Sequence, residues 1–167
     1  MDKKTARKHA LEIRKNLSNR IDKKLIINQI IKSINSYNNI GIYYPLNNEI
    51  DVMDIIKLCP NKSFYLPITR EEISFIKYNH NDKLIDGLFH TKEPVGQIVS
   101  RDTIDCFIIP CVAISNDNRR VGYGKGYYDR YLANYSGHKI GVCYKECVNL
   151  DITTDEFDVI LDEIIVG

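Results

Sequence analysis

The chain has 167 residues and a formal net charge of +1, with 44% hydrophobic and 27% charged residues. A chain of this length folds as one domain with its own hydrophobic core. The near-neutral charge lacks the basic excess of nucleic-acid-binding proteins, and no apolar stretch is long enough to span a bilayer. We therefore expect a single domain over residues 1–167 that binds neither nucleic acid nor a membrane.

The N-terminal residues and the cysteines predict a cytoplasmic protein. The first twenty residues are rich in charge and contain no apolar core of a signal peptide. None of the five cysteines forms a Cys-x-x-Cys pair, so neither a disulfide framework nor a zinc site is indicated. We expect buried, reduced thiols. The sequence does not determine the oligomeric state, and a monomer is the expectation.

The spacing of apolar residues predicts four helices. Residues 3–17 carry apolar side chains at helical intervals. Ser18 is expected to cap a second helix, whose apolar stripe runs from Ile21 to Ile34. A third helix is expected from Asp51 to Leu58. Tyrosine and leucine at helical spacing predict a fourth helix over residues 128–135.

Short apolar or alternating segments predict the strands. They are residues 40–44, 64–66, 74–78, 106–109, 139–143 and 163–166. Residues 106–109 are continuously apolar, as expected of a strand that is buried on both faces of a sheet. Strands that alternate with helices predict an α/β fold, a single layered domain with a mostly parallel sheet flanked by helices. Such sheets bind ligands beyond the carboxyl ends of their strands.

A glycine-rich loop follows one such strand end and predicts phosphate binding. Its glycines alternate with other residues: Gly122, Gly124 and Gly126. Glycine lets the backbone approach a ligand closely and present N–H groups to an anion. Lys125 adds a point charge suited to phosphate, and Asp129 lies where a carboxylate could hold a metal ion that bridges phosphates.

The loop matches neither common nucleotide fingerprint. The Walker pattern needs Gly-Lys followed by Ser or Thr, and the dinucleotide pattern needs G-x-G-x-x-G, whereas this loop is G-x-G-x-G. A tight turn before a helix is therefore the purely structural alternative. Four basic residues favour the phosphate interpretation: Arg119, Arg120, Lys125 and Arg130.

The string Gly-Tyr-Gly-Lys-Gly-Tyr-Tyr-Asp-Arg, residues 122–130, resembles the signature of the 5-formyltetrahydrofolate cyclo-ligase family. The resemblance extends to residues 3–7, 44–50, 66–67, 93–94, 140–141 and 158–162. It implies a single α/β domain that closes 5-formyltetrahydrofolate into 5,10-methenyltetrahydrofolate by phosphorylating the formyl oxygen, with release of ADP and phosphate. ATP is the implied co-substrate and Mg²⁺ the implied cofactor.

The resemblance also assigns roles to individual residues. Lys125 and Arg120 are expected to be catalytic. The expected ATP-binding residues are Lys3, Lys4, Arg7, Arg120, Gly122, Gly124, Lys125, Gly126, Tyr127 and Tyr128. The expected substrate-binding residues are Tyr44, Glu49, Tyr123, Gly124, Lys125, Gly126 and Tyr127. Asp129 and Asp158 are the expected magnesium ligands.

Several of these residues have simpler interpretations when the resemblance is set aside. Lys3 and Arg7 lie four residues apart on one helix face, which could merely be solvated, and Lys4 offers a second register. Glu49 could cap the helix that follows it. Asp158 lies among other acidic residues, a pattern typical of a solvated loop.

Two other functions stay open at this point. One is a different ATP-dependent enzyme that uses the same loop, which a folate-binding titration would distinguish. The other is a catalytically silent folate- or nucleotide-binding module. Loss of Lys125 or Asp129 would point to such a module, and both residues are present.

Overall fold

The computed structural model describes all 167 residues of the chain. Its helices are α1 (Lys3–Leu17), α2 (Lys23–Ser33), α3 (Asp54–Leu58) and α4 (Tyr127–Tyr131). Its strands are β1 (Asn39–Gly41), β2 (Ser63–Thr69), β3 (Ile73–Tyr78), β4 (Leu84–Asp86), β5 (Lys92–Pro94), β6 (Ile98–Val99), β7 (Cys106–Pro110), β8 (Ala113–Ile114), β9 (Arg120–Val121), β10 (His138–Cys143) and β11 (Glu163–Val166). None of the helices combines the length and the hydrophobicity that crossing a membrane requires.

Seven strands form the main sheet, in the order β11-β10-β7-β1-β2-β3-β6. The first five pair in parallel, whereas β3 and β6 join the β2 edge antiparallel. Strand β7, the central one of the five parallel strands, is buried along its whole length, as its continuous apolar run predicts. The predicted α/β fold with a mostly parallel sheet is confirmed.

Helix α1 packs against the domain through small side chains. The carboxylate of Asp2 accepts a hydrogen bond from the Thr5 N–H and so caps the helix. Ala6 and Ala10 are completely buried, and their short side chains allow α1 to lie close to β8. The next residue on this face, four positions further along, is the buried Arg14.

Three helix boundaries differ from the sequence-based expectation. Ser18 lies in a single 3-10 turn, and the carboxylate of Asp22 caps α2 instead. Asp51 lies before α3, because its carboxylate accepts a hydrogen bond from a backbone N–H two residues on, which competes with helix formation. Helix α4 ends at Tyr131, so the predicted stripe out to Tyr135 is wrong in its second half.

Two small antiparallel sheets, β4-β5 and β8-β9, flank the main sheet. Their strands and β6 were missed by the sequence analysis, because two or three residues are too few to show alternation. The β8-β9 hairpin pairs Ala113 with Val121. It follows the carboxyl end of β7 directly, and β9 leads straight into the glycine-rich loop, which is thereby fixed at the end of the central strand.

Candidate active site

A cavity of about 540 Å³ opens at the carboxyl ends of the parallel strands. Residues that end or follow β1, β2 and β7 line it: Tyr43, Tyr44, Pro67, Thr69 and Pro110. This is where open α/β sheets bind their ligands. The glycine-rich loop, α1 and the segment around Asp158 close the remaining sides.

All but one of the predicted site residues line this cavity. They are Lys3, Arg7, Tyr44, Glu49, Arg120, Gly122, Tyr123, Gly124, Lys125, Gly126, Tyr127, Tyr128, Asp129 and Asp158. Lys4 is exposed and does not line it, because the helical turn that brings Lys3 and Arg7 to the cavity directs the next residue away. The geometry therefore favours Lys3 over Lys4. The ligand that each residue binds stays a prediction.

The glycine-rich loop packs directly against α1. Gly124 and Gly126 have φ angles of +101° and +71°, which L side chains rarely adopt. Arg7 donates a hydrogen bond from Nε to the Gly122 carbonyl at 2.6 Å. A Cβ atom at Gly124 would lie 3.3 Å from the guanidinium carbon of Arg7. Residues more than a hundred positions apart thus form one wall of the cavity.

Arg120 is a fixed positive charge on this wall. Its side chain is buried, and Nε donates a hydrogen bond to the Pro110 carbonyl at 2.8 Å. Its guanidinium carbon lies 4.7 Å from the centre of the Tyr128 ring. A Cβ atom at Gly122 would lie 2.5 Å from Arg120 Nη1. Glycine at that position therefore provides the space in which the guanidinium lies.

Lys125 is an exposed charge at the tip of the loop. Its carbonyl accepts a hydrogen bond from Arg130 Nη1 at 2.9 Å, and Arg130 in turn pairs with Glu72. The Lys125 ammonium is 5.9 Å from the centre of the Phe89 ring. The backbone of this residue is thus anchored while its side chain remains free to meet a ligand.

Lys3 and Asp158 are paired with each other. The Lys3 ammonium donates to both oxygens of the Asp158 carboxylate at 2.8 Å and to Asp155 at 2.7 Å. The side chain of Asp158 is only 5% exposed. Arg119 holds the same segment by donating to the carbonyls of Asp155 and Asp158. An expected phosphate ligand therefore neutralises an expected metal ligand in the free protein.

Asp129 lies beside this pair, and the charges of Asp158 and Lys3 affect its pKa. Its Oδ1 accepts a hydrogen bond from the Val159 N–H at 3.1 Å. Burial raises the pKa of Asp129, and the negative charge of Asp158 raises it further, while the hydrogen bond and the charges of Arg120 and Lys3 oppose the shift. The two expected magnesium ligands are thus together at one end of the cavity.

These carboxylates fit a magnesium ion only in the company of a phosphate. No group of three or more His, Cys, Asp or Glu side chains could hold a metal ion. Magnesium in nucleotide sites usually takes one or two carboxylates and completes its shell with water and phosphate oxygens. Asp129 and Asp158 meet that requirement and would not form a metal site by themselves.

A second, more buried wall of the cavity contains Glu49. Its Oε1 accepts a hydrogen bond from the Leu46 N–H at 2.7 Å. Burial raises the pKa of Glu49 to about 7, against that hydrogen bond and the positive charges of Arg14 and Arg120. A small change in surroundings near neutral pH can therefore decide whether this side chain is a carboxylate that accepts hydrogen bonds.

Sequence reasoning missed Arg14, which lies behind this wall. It is 1% exposed and donates from Nη2 to the Tyr123 hydroxyl at 3.1 Å. The signal was present in the sequence, since Arg14 continues the four-residue spacing of Ala6 and Ala10 on the buried face of α1. A charged residue on such a face requires an explanation.

Comparison with known proteins finds one family along the whole chain. A model of the 5-formyltetrahydrofolate cyclo-ligase family matches residues 1–167. A 5-formyltetrahydrofolate cyclo-ligase of Mycoplasma pneumoniae is 34% identical, covering 99% of this chain and 98% of the relative. A 5-formyltetrahydrofolate cyclo-ligase of Mycoplasma genitalium is 32% identical, covering 89% and 83%.

Solved structures give the same result. The NMR structure of Aquifex aeolicus 5,10-methenyltetrahydrofolate synthetase is similar with a TM-score of 0.83 and 29% identity, covering 99% of this chain and 90% of that one. A structure of a 5,10-methenyltetrahydrofolate synthetase from Mycoplasma pneumoniae has a TM-score of 0.77 and 29% identity, covering 99% and 98%. From the match over its whole length, the chain belongs to the 5-formyltetrahydrofolate cyclo-ligase family.

Proposed function

We propose that this cavity performs the ATP-dependent closure of 5-formyltetrahydrofolate into 5,10-methenyltetrahydrofolate, with release of ADP and phosphate. The observation that carries the proposal is the convergence of three separate segments on one cavity: α1, the glycine-rich loop and the acidic segment at Asp158. Together they supply cations, backbone N–H groups and carboxylates, which are the groups that phosphoryl transfer needs. The family match over residues 1–167 supports the same reaction.

The reaction requires the formyl oxygen to become a leaving group. Transfer of the γ-phosphoryl group forms a bond between phosphorus and the formyl oxygen and breaks the bond to the β-phosphate, which releases ADP. The N10 atom then attacks the activated formyl carbon and loses its proton, and the oxygen departs as phosphate. The protein contributes positioning and charge stabilisation, and no side-chain nucleophile is needed.

The glycine-loop wall is the proposed site of the ATP phosphates. Arg7 and Arg120 are held in place by backbone carbonyls, so their charges are available without reorganisation, which favours transition-state stabilisation. Lys125, exposed at the loop tip, would meet the transferring γ-phosphoryl group. The N–H groups of residues 122–128 would complete the contacts with the phosphate oxygens.

Asp129 and Asp158 are the proposed ligands of the magnesium ion that accompanies ATP. Their carboxylates would hold the ion, which would supply positive charge that offsets the charge of the phosphates. Lys3 occupies both oxygens of Asp158 in the free protein. We expect Lys3 to exchange this carboxylate for a phosphate when the nucleotide binds.

The Glu49 wall is the proposed site of the pterin ring. As a carboxylate, Glu49 would accept hydrogen bonds from pterin N–H groups. Hydrogen bonds to a charged acceptor are stronger than those to a neutral one. Tyr44, Tyr123 and Tyr127 line the same cavity, and their rings would pack against the flat substrate.

The cellular setting is also part of the proposal. All five cysteines are free and buried, which supports a reducing compartment such as the cytoplasm. The monomeric state, and the absence of nucleic-acid and membrane partners, stay predictions. The names of the relatives favour an enzyme over a silent binding module.

One assay tests the function. Purified protein is mixed with ATP, magnesium and 5-formyltetrahydrofolate, and the absorbance of the methenyl product is followed. We expect product only when all three are present, with ADP and phosphate released in equal amounts. Folded protein that binds 5-formyltetrahydrofolate without any turnover would contradict the proposal and support the binding-module alternative.

A further inference from the structure

Arg14 has a surrounding that stability alone does not explain. Its side chain is 1% exposed, and its Nε and Nη1 atoms have no hydrogen-bond partner. Only Nη2 is bonded, to the Tyr123 hydroxyl. A buried charge whose donors are unpaired destabilises a protein, and an apolar side chain of similar volume usually serves the core better. The guanidinium therefore has another role.

Its position relative to Glu49 suggests that role. Arg14 and Glu49 both line a second cavity of about 10 Å³, which is about the size of a single water molecule. Glu49 also lines the main cavity, whereas Arg14 does not. Glu49 thus borders both cavities, and Arg14 borders only the small one.

The charges around Glu49 are few. Arg14 and Arg120 are the positive groups that act on it, with Arg14 the stronger. The other titratable groups facing it are neutral phenols and a thiol: Tyr43, Tyr123, Tyr128 and Cys111. Arg120 is already bonded to the Pro110 carbonyl and lies under the Tyr128 ring. Arg14, with two free donors, is the cation best placed to stabilise a negative charge on Glu49.

We propose that Arg14 is a positioning residue for the folate substrate, which keeps Glu49 as a carboxylate and orients the Tyr123 hydroxyl beside it. The inference rests on the proposed function, since it assumes that Glu49 accepts N–H groups of the pterin ring. Helix α1 would then contribute to both ends of the cavity. Arg14 would act at the folate end, whereas Lys3 and Arg7 line the phosphate end.

Arg14→Met tests the idea, with Arg14→Lys as the matched variant that keeps the charge. At about pH 6, below the pKa of about 7 that burial gives Glu49, we expect Arg14→Met to raise the KM for 5-formyltetrahydrofolate about tenfold, the factor that corresponds to one pKa unit on Glu49. As the pH is lowered, Arg14→Met should also lose folate binding at a higher pH than the wild type does. The KM for ATP should stay unchanged. Arg14→Lys should restore most of the pH profile.

Melting temperature separates this role from a structural one. Because the two unpaired donors leave the core, Arg14→Met should melt at the same temperature as the wild type or higher. Equal losses in the use of ATP and folate, together with a lower melting temperature, would overturn the proposal. So would an unchanged folate KM and pH profile in Arg14→Met.

A double variant shows whether Arg14 acts through Glu49. In a Glu49→Gln background, Arg14→Met should weaken folate binding by less than about twofold, because residues that act through one another are not additive. A full tenfold loss in that background would contradict the proposal. Wild-type turnover is measured alongside, since its absence would overturn the proposed function itself. If the wild type is active and Arg14→Met behaves like it, only this inference is overturned.

Discussion

The two walls of the cavity hold charge in different ways. On the glycine-loop wall, the Lys125 side chain is exposed, and its backbone carbonyl is anchored by Arg130. On the Glu49 wall, burial brings the pKa of Glu49 to about 7, and the buried Arg14 guanidinium borders the same small cavity as Glu49. Phosphates are highly charged and can be met by cations that reach into solvent. A flat pterin ring needs a desolvated acceptor in a fixed place, which costs stability.

The lysines of the phosphate end show a second contrast. Lys3 is paired with the buried Asp158, and its side chain is 30% exposed. Lys125 makes no such pair and contacts solvent. Removal of Lys3 should therefore disturb both structure and nucleotide use, whereas removal of Lys125 should disturb the reaction alone. The following variants separate these effects.

The largest expected effect is that of Lys125→Ala. Loss of one charge that meets the transferring phosphoryl group should lower kcat by about 10²–10³, or about 3–4 kcal/mol. Because Lys125 is exposed, the free energy of unfolding should change by less than about 0.5 kcal/mol. Steady-state kinetics and urea unfolding measure the two quantities.

Two further variants control this prediction. Lys125→Arg should rescue only part of the rate, because a planar guanidinium replaces a compact charge poorly between two glycines. Lys4→Ala, an exposed lysine outside the cavity, should behave as wild type. Retained activity in Lys125→Ala, or a parallel loss of stability, would show that another cation meets the phosphoryl group.

The next effect is on stability, for Glu49→Gln. The pKa of Glu49 is raised from 4.5 to about 7 in the folded protein, so the native state binds the proton more tightly and loses stability as pH rises from 4.5 to 7. Above pH 7 the full penalty is present. Glu49→Gln should therefore be more stable than the wild type at about pH 8, by about 3 kcal/mol.

This gain should depend on pH. It should shrink as the pH falls and vanish near 4.5, where Glu49 is protonated in both states. Urea unfolding of both proteins across this range measures it, and other titrating groups cancel in the difference. A gain that is independent of pH, or a loss of stability at alkaline pH, would contradict the buried-carboxyl description.

The smallest effect is expected for Lys3→Met. It leaves the buried carboxylate of Asp158 without its cation, but partial exposure of Lys3 reduces the cost to about 1–2 kcal/mol. The KM for ATP should rise several-fold. Lys4→Met, the adjacent lysine on the exposed face, is the matched control. If Lys3→Met is as stable as this control, the pair with Asp158 does not contribute to the fold.

The sequence reveals more about the glycine-loop wall than about the Glu49 wall, because only the first is built from one continuous segment. The glycine-rich loop is a local pattern, so Gly122 to Asp129 could be assigned by reading along the chain. The surroundings of Glu49 depend on α1, which packs behind it from a distant part of the sequence, and Arg14 was missed. The parallel sheet was predictable from its apolar strands, whereas the starts of α2 after Asp22 and of α3 after Asp51 depend on single hydrogen bonds.

The central claim is that the two walls bind different substrates, and crossed binding measurements test it most directly. Titration calorimetry of ATP and 5-formyltetrahydrofolate is performed on the wild type, Lys3→Met and Glu49→Gln. We expect Lys3→Met to weaken only ATP, and Glu49→Gln to weaken only 5-formyltetrahydrofolate, by about tenfold or more for the loss of a charged hydrogen-bond acceptor. If either variant weakens both ligands equally, the division of the cavity into a phosphate wall and a pterin wall is wrong.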